Sequence, residues 1–436
     1  MASSSELLTL TNAERGQSSF TLYTTAVDAT QGLSITFDFF SYGGTGGDGL
    51  SFILVDGSQS PVRAGGFGGS LGYAQRDDGG TLTPGIQGGY LGIGFDEFGN
   101  FSNSTEGRVG GAVGGLIPDA IVVRGRETSN PATSYAFLTG TGTLRPATAP
   151  TGLDNPGATN RNQAKRTAQI DLTSTGLLSV KIDFNGDGIF DANDPNEVPA
   201  NLQNFNVEER NGVLPSTLKF GFAASTGLET NIHEVGNFNV RTQSGAPIAG
   251  SFSDRIIIGG DSGTPSAPSP IVGQTGNDVL IPGNGVENLQ GGRGADRFVY
   301  SGATKAEALR KSTLRRLDRI ADFRFSEGDR IQLDFDGQLA TSNLPRRLFN
   351  AGAETGSLRK AARAAYADKN QSKRGNQALK PNEAVLFTRG SRTYLSVNDD
   401  QRSFSPRRDL LVDVTGIQLR PGDASLGALS VTNYFA

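Results

Sequence analysis

Apolar and polar residues alternate in short runs through the first 245 residues. Leu33-Ser-Ile-Thr-Phe-Asp-Phe-Phe40, Leu50-Ser-Phe-Ile-Leu-Val55, Ala120-Ile-Val-Val-Arg124, Leu178-Ser-Val-Lys-Ile-Asp183 and Leu218-Lys-Phe-Gly-Phe222 show it most clearly. Gly, Asn, Asp and Ser turns separate them, with no helical period between. Period-two runs bounded by turn signals predict a β-sandwich over 1–245. Residues 246–272, with Pro265, Pro268 and Pro270 among small polar residues, read as a Pro/Ser/Gly linker. After the linker the texture changes to nonapeptides, which open a segment at 273–341. Residues 342–436 read as a separate small α+β domain. Helical patterning is confined to 304–317, where Leu309, Thr313 and Leu317 share a face, and to the Ala-rich 356–368.

Composition sharpens this picture. The 436 residues allow two or three domains at roughly 150 residues each. Gly is 60 of 436 without a collagen period, against a usual ~7%, which suits tight bends between strands. Cys is 0 and His is 1, so disulfide scaffolds, thiolate sites and multi-histidine metal sites are excluded. No apolar run approaches the ~18–20 residues of a membrane span.

Charge is uneven. Residues 1–300 carry 17 Lys+Arg against 29 Asp+Glu, net −12, while 301–436 carry 23 against 15, net +8. The acidic, Gly/Asn/Asp-rich front suits oxygen-ligand cation sites. The basic back suits either a solvated surface or an anionic partner. Met-Ala-Ser-Ser-Ser-Glu-Leu-Leu at the start has no basic and then apolar stretch, so no Sec-type signal is expected.

Two segments of the front half carry candidate chemistry. In Gly43-Gly-Thr-Gly-Gly-Asp-Gly-Leu-Ser-Phe-Ile-Leu-Val-Asp-Gly57, Asp48 sits on a Gly-flanked bend at a strand edge, where it could accept two sugar hydroxyls. In Gly88-Gly-Tyr-Leu-Gly-Ile-Gly-Phe-Asp-Glu-Phe-Gly-Asn100, Gly88 and Gly89 offer bare N–H groups. Asp96, the Phe98 carbonyl and Asn100 follow at alternate positions, an arrangement suited to a hard cation. With Gly221-Phe-Ala-Ala-Ser-Thr-Gly-Leu-Glu-Thr-Asn-Ile-His-Glu-Val235, these segments resemble the bacterial branch of the L-type (legume-like) lectins over about residues 10–242. The resemblance implies a concanavalin-like jelly roll with a sugar site at Asp48, Gly88 or Gly89, and Asn100. It places calcium behind that site on Asp96, Phe98 and Asn100. Gly94 stands where the family has a transition-metal Glu, and Ser104 or Thr105 where it has a further Asp. The transition-metal site is therefore expected to be missing, and the calcium site weakened or rebuilt with Glu106.

Concanavalin-like folds also host glycoside hydrolases, which need two carboxylates across a cleft. Alternation throws the adjacent Asp96 and Glu97 to opposite faces, so no acid/base pair is expected and no enzyme.

Asp183-Phe-Asn-Gly-Asp-Gly-Ile-Phe-Asp-Ala-Asn-Asp194 has EF-hand loop spacing. Asp183, Asn185, Asp187, the Ile189 carbonyl, Asp191 and Asp194 are the candidate calcium ligands, with Gly188 at the turn. The preceding strand makes this a loop inserted between strands.

From Gly273 to Val299 three units of nine run in frame: Gly-Gln-Thr-Gly-Asn-Asp-Val-Leu-Ile, Pro-Gly-Asn-Gly-Val-Glu-Asn-Leu-Gln and Gly-Gly-Arg-Gly-Ala-Asp-Arg-Phe-Val. Each has Gly fourth, an acid sixth and an apolar residue eighth. They resemble the RTX repeat of calcium β-rolls. Turns 18 residues apart would share a side, so the resemblance implies one ion held by Asp278 and Asp296 with Gly273, Thr275, Gly291 and Arg293. Glu287 is expected to face the other side without a partner turn. Phe298-Val-Tyr, Asp318-Arg-Ile-Ala-Asp-Phe and Gly328-Asp-Arg-Ile-Gln-Leu-Asp334 resemble the region that follows the roll in serralysins. Their His-Glu-x-x-His protease motif is not met by His233-Glu-Val-Gly-Asn237. Residues from Leu344 to Ala436 resemble the "bluetail" domain of cyanobacterial secreted proteins.

The resulting expectation is a mainly β, non-enzymatic protein: a sandwich, a linker, a short RTX β-roll and a basic tail. It is expected to bind calcium and carbohydrate, with type I secretion to the exterior or cell surface and a role in adhesion. Its tail would meet its own cell surface, with no nucleic acid and no membrane span. The alternatives are a structural surface protein and, less favoured, a glycoside hydrolase.

Overall fold

The computed structural model describes residues 3–4, 7–146, 151–246, 248, 253–260, 265 and 268–436. The chain divides into two compact units, Met1–Phe252 and Ser253–Ala436.

The N-terminal unit is an antiparallel sandwich. One sheet runs Ile232–Thr242, Leu33–Tyr42, Lys165–Leu172, Leu177–Asp183 and Phe205–Asn206, with Leu8–Thr11 and Ser3–Ser4 also on Ile232–Thr242. The other runs Phe137–Gly140, Ala120–Arg124, Gly89–Asp96, Gly49–Asp56, Thr217–Ser225 and Ser18–Tyr23. Alternation turns Leu33, Ile35, Phe37 and Phe39 of one strand into the space between the sheets. There Phe37 meets Phe222 at 4.9 Å and Phe39 meets Phe95 at 4.8 Å between ring centroids. Along Gly89–Asp96, Leu91, Ile93 and Phe95 face this core, while Gly92, Gly94 and Asp96 face outward. Added Cβ atoms at Gly92 and Gly94 would collide with the rings of Tyr73 and Phe101, so these glycines let loops pack flat on the outer face. The Phe101 ring therefore occupies the space at Gly94.

The C-terminal unit is a coil of parallel strands. Arg255–Ile258, Val279–Ile281, Arg297–Ser301 and Arg330–Asp334 form one wall. Ser269–Val272, Glu287–Gln290 and Arg319–Ile320 form the other, and that sheet continues through Leu410–Asp413, Arg392–Val397, Ala384–Arg389, Leu348–Ala353 and Ala428–Leu429. Val279 pairs with Arg297 and Ser269 with Glu287, the 18-residue stride that the nonapeptide frame predicts.

Three expectations need correction. The stretch 246–272, read as a linker, holds two roll strands, because Ile256–Ile258 and Ile271 supply apolar residues at the roll's own spacing. Residues 342–436 are not separate from the roll. Leu280, Leu289, Phe298, Ile320 and Ile331 share one buried core with Leu348, Leu386, Leu395, Val412 and Phe435. The helix expected over 304–317 is only Lys305–Leu309, whereas Leu358–Ala367 forms in full, capped by the Ser357 side chain. Its Ala361, Ala362 and Ala365 let it pack closely on Val385 and Phe387.

Candidate functional site

Asp48 lies where two adjacent strand ends meet. Gly49 pairs with Asp96, and the Asp48 carbonyl accepts the N–H groups of Glu97 (3.0 Å) and Phe98 (3.2 Å). Glycines at 46, 47 and 49 have φ of 98°, 147° and 140°, conformations that side chains resist, and the Gly47–Asp48 peptide is cis. The Asp48 carboxylate faces a cavity of about 570 Å³ shared with Phe67, Gly68, Gly69, Phe98, Asn100 and Gly227. Its Oδ2 is buried with no hydrogen-bond partner. Burial raises its pKa to about 7, with His233 opposing and Glu97 adding to the rise. The pocket thus pairs an unsatisfied acceptor with two aromatic side chains, the combination that holds a polar ligand with an apolar face. A Cβ at Gly227 would lie 2.6 Å from Asp48 Oδ2. We expect Gly227→Ala to remove ligand binding while leaving the melting temperature within about 2 °C, measured by titration and calorimetry.

Asn100 shares this pocket with Asp48, as expected, but Gly88 and Gly89 do not. They start the strand that Asp96 ends, roughly 23 Å away at ~3.3 Å per residue. There the Gly88 N–H donates to Glu127 Oε2 (2.7 Å) and the Gly89 N–H to the Ile86 carbonyl (3.0 Å). Gly68 and Gly69 take the place expected of them. The signal was the run Gly65-Gly66-Phe67-Gly68-Gly69, which the strand motifs overshadowed.

Behind the pocket, Asp96 is fully buried, and its two oxygens accept from Gly99 N (2.9 Å) and Ser102 N (3.1 Å). Burial raises its pKa to about 8, with those N–H donors opposing. Asn100 Oδ1 accepts from Asn103 Nδ2 at 2.8 Å. Glu106, expected to rebuild a calcium site, instead pairs with Arg76 and Arg108, at 3.0 Å each. Two buried arginines hold this loop. Arg108 reaches Ser70, Asn103 and Thr105. Arg124 spends all five of its N–H donors on the carbonyls of Phe101, Asn103, Val109, Gly110 and Tyr135, at 2.6–3.2 Å. Burial, then Arg108, lowers its pKa to about 9, so it stays cationic at neutral pH. Both Asp96 oxygens thus accept N–H groups, Arg108 and Arg124 supply positive charge nearby, and among the described residues no three acidic side chains gather there as metal ligands. The sequence signal for Arg124 was a cation at the outward end of an apolar strand.

Glu97 is turned away from Asp96, accepting from Asn231 Nδ2 (2.8 Å) and lying 3.0 Å from His233 Nε2. In the 183–194 loop the side chains cap their own turns. Asp183 accepts from Gly186 N and Gly188 N, Asn185 from Asp187 N, Asp187 from Ile189 N, Asp191 from Asn193 N and Asp194 from Asn196 N. Among the described residues, no three His, Cys, Asp or Glu side chains converge as metal ligands. Asp183, Asp187, Asp191 and Asp194 are accordingly not brought together as a ligand set.

The roll differs. Asp278 Oδ1 accepts from Arg255 N (2.9 Å) and lies 3.4 Å from Nε of the buried Arg255 guanidinium, while Asp296 Oδ1 accepts from Asp278 N (2.9 Å) and Asp329 Oδ1 from Asp296 N (3.0 Å), a ladder down one side. Asp278 Oδ2 and Asp296 Oδ2 are buried without partners. A Cβ at Gly273 would lie 2.6 Å from Asp278 Oδ2 and collide with the Gly291 carbonyl, and one at Gly291 would collide with Asp296 Oδ2. Thr275 and Arg293 pair beside them. Burial raises Asp278 to about 8 and Asp296 to about 7. Two orphaned carboxylate oxygens over bare glycine backbone fit a hard cation. Glu287, expected to lack a partner turn, has one: its N–H donates to Asp318 Oδ1 (3.0 Å), because the opposite wall continues to Arg319–Ile320.

No protein-family model matches the chain, and no curated protein matches it. Among solved structures, the exoplasmic/lumenal domain of VIP36 in its Ca2+/Man3GlcNAc-bound form is 18% identical with a TM-score of 0.34, covering 55% of this chain and 81% of its own. Metal-free lectin I-B4 from Griffonia simplicifolia is 14% identical with a TM-score of 0.33, covering 55% and 91%. The Bauhinia forficata lectin in complex with GalNAc is 13% identical with a TM-score of 0.32, covering 55% and 90%. At these scores the likeness carries no weight for the site, whose chemistry rests on its own geometry.

Proposed function

We propose that the chain is a non-enzymatic carbohydrate-binding protein with a sugar site at Asp48 and a calcium site in the roll. The observation that carries the sugar reading is the buried, unpartnered Asp48 Oδ2 facing the Phe98 and Asn100 pocket. Adjacent sugar hydroxyls would donate to the Asp48 carboxylate, Gly68 and Gly69 would present backbone to the ring, and Phe98 would cover its apolar face. Calcium would be held by Asp278 and Asp296 with neighbouring carbonyls of Gly273, Thr275, Gly291 and Arg293. The RTX-like frame supports export by type I secretion and a place outside the cell or on its surface, in adhesion. Among the described residues no helix is long and apolar enough to cross a membrane.

A glycan array followed by titration tests this reading. Asp48→Ala should abolish the glycan signal without moving the melting temperature, and unchanged affinity would sink the proposal. The ionised carboxylate is the acceptor, so affinity should also fall as pH drops below about 7. A flat binding profile from pH 5 to 8.5 would remove Asp48 from the contact.

A further inference from the structure

The C-terminal unit holds a second cavity, open and about 710 Å³ in volume. Arg310, Arg315, Arg359, Arg407 and Arg408 line it, above Leu314 and Pro406. Three separate stretches of chain bring them together: the segment after Lys305–Leu309, the first turn of Leu358–Ala367, and the loop before Leu410–Asp413. All five arginines are exposed. Only Arg408 is ion-paired among the described residues, to Asp399 at 3.2 Å. No carboxylate lines the cavity.

Gathering guanidinium groups without counter-charges costs repulsion, which screening over a Debye length of ~8 Å relieves only in part. Their planar forks match carboxylate, sulfate or phosphate oxygens in pairs, and several forks in one trough exceed what a single small anion can use. No aromatic side chain lines the trough, so it lacks the aromatic platform on which single-strand binders stack successive bases. Leu314 and Pro406 offer a small apolar floor of the kind that receives a sugar's C–H face. We infer that this trough binds an anionic polysaccharide through its repeating carboxylate or sulfate groups. The inference does not depend on the Asp48 site.

The test uses the full chain with calcium and four probes: polygalacturonate oligosaccharides, dextran sulfate, neutral dextran and duplex DNA. Anisotropy titrations should show binding to polygalacturonate or dextran sulfate that weakens as salt rises, and none to neutral dextran. Which of the two binds tighter tells carboxylate from sulfate as the preferred group. The triple variant R315E/R359E/R407E should weaken that binding at least tenfold, with R315Q/R359Q/R407Q intermediate. Both variants should keep the wild-type melting temperature and the wild-type glycan-array signal. Wild-type affinity in the glutamine variant would overturn the proposal. Tighter binding to duplex DNA than to either anionic polysaccharide would overturn it as well, and assign the trough to nucleic acid.

Discussion

Without calcium, the unit Ser253–Ala436 should lose stability as pH rises from 4 to 8, and calcium should restore the part of it that comes from Asp278 and Asp296. Asp278 and Asp296 titrate at about 8 and about 7 in the folded chain, against about 4 when unfolded, chiefly because burial disfavours their charged forms. Between pH 4 and 8 the folded state therefore holds more protons than the unfolded one, and stability falls as pH rises through that window. The melting temperature of the chelated chain should therefore be lower at pH 8 than at pH 5. A cation between the two carboxylates would take the place of the protons and, by binding only the folded state, would stabilise it by mass action. Calorimetry of the full chain at pH 5 and pH 8, with calcium and with chelator, reads this directly. Hydrogen exchange would assign the transition to residues 253–436. Because the roll and residues 342–436 share one core, protection should appear across the whole unit and not only in the nonapeptides. Equal melting temperatures with calcium and with chelator at pH 8 would show that the ladder needs no metal.

Arg124→Lys should destabilise the N-terminal unit by about 3–5 kcal/mol although charge is conserved. An ammonium offers three donors at a single point, whereas the guanidinium spans five carbonyls from Phe101 to Tyr135. The released carbonyls of Phe101, Asn103 and Tyr135 belong to buried residues, and the 99–111 loop that carries Asn100 and Arg108 loses its centre. Sugar affinity should fall together with stability, and calcium should rescue neither, because the fixed guanidinium groups do what a bound cation would do. Calorimetry paired with glycan titration, each with and without calcium, checks this. Recovery of binding in the variant on adding calcium would instead put a divalent ion at Asp96.

The misplacement of Gly88 and Gly89 shows where sequence reading stops. They are close to Asp96 in the chain, but an extended strand separates them from it by its full length. Gly68 and Gly69 reach Asp48 only because Ser225 and Asp48 lie side by side at the ends of two neighbouring strands, where the Ser225 hydroxyl donates to the Gly68 carbonyl. Arg124 was legible as the end of a strand and illegible as a brace, since its five partners lie 11–23 residues away on loops without periodicity.

By itself the sequence determined what repeats. Alternation of period two dictates which side of each strand is buried, so the sandwich and its phenylalanine core were readable. A frame of nine dictates an 18-residue stride, so Asp278 and Asp296 were readable as neighbours. Only the tertiary structure decided which loops meet at the strand ends, that the 246–272 stretch contributes strands to the roll, and that two arginines stand behind the Asp48 pocket. The reason is physical: periodic burial is a local property of the chain, whereas a loop's partners are set by the packing of sheets whose strands lie far apart in sequence.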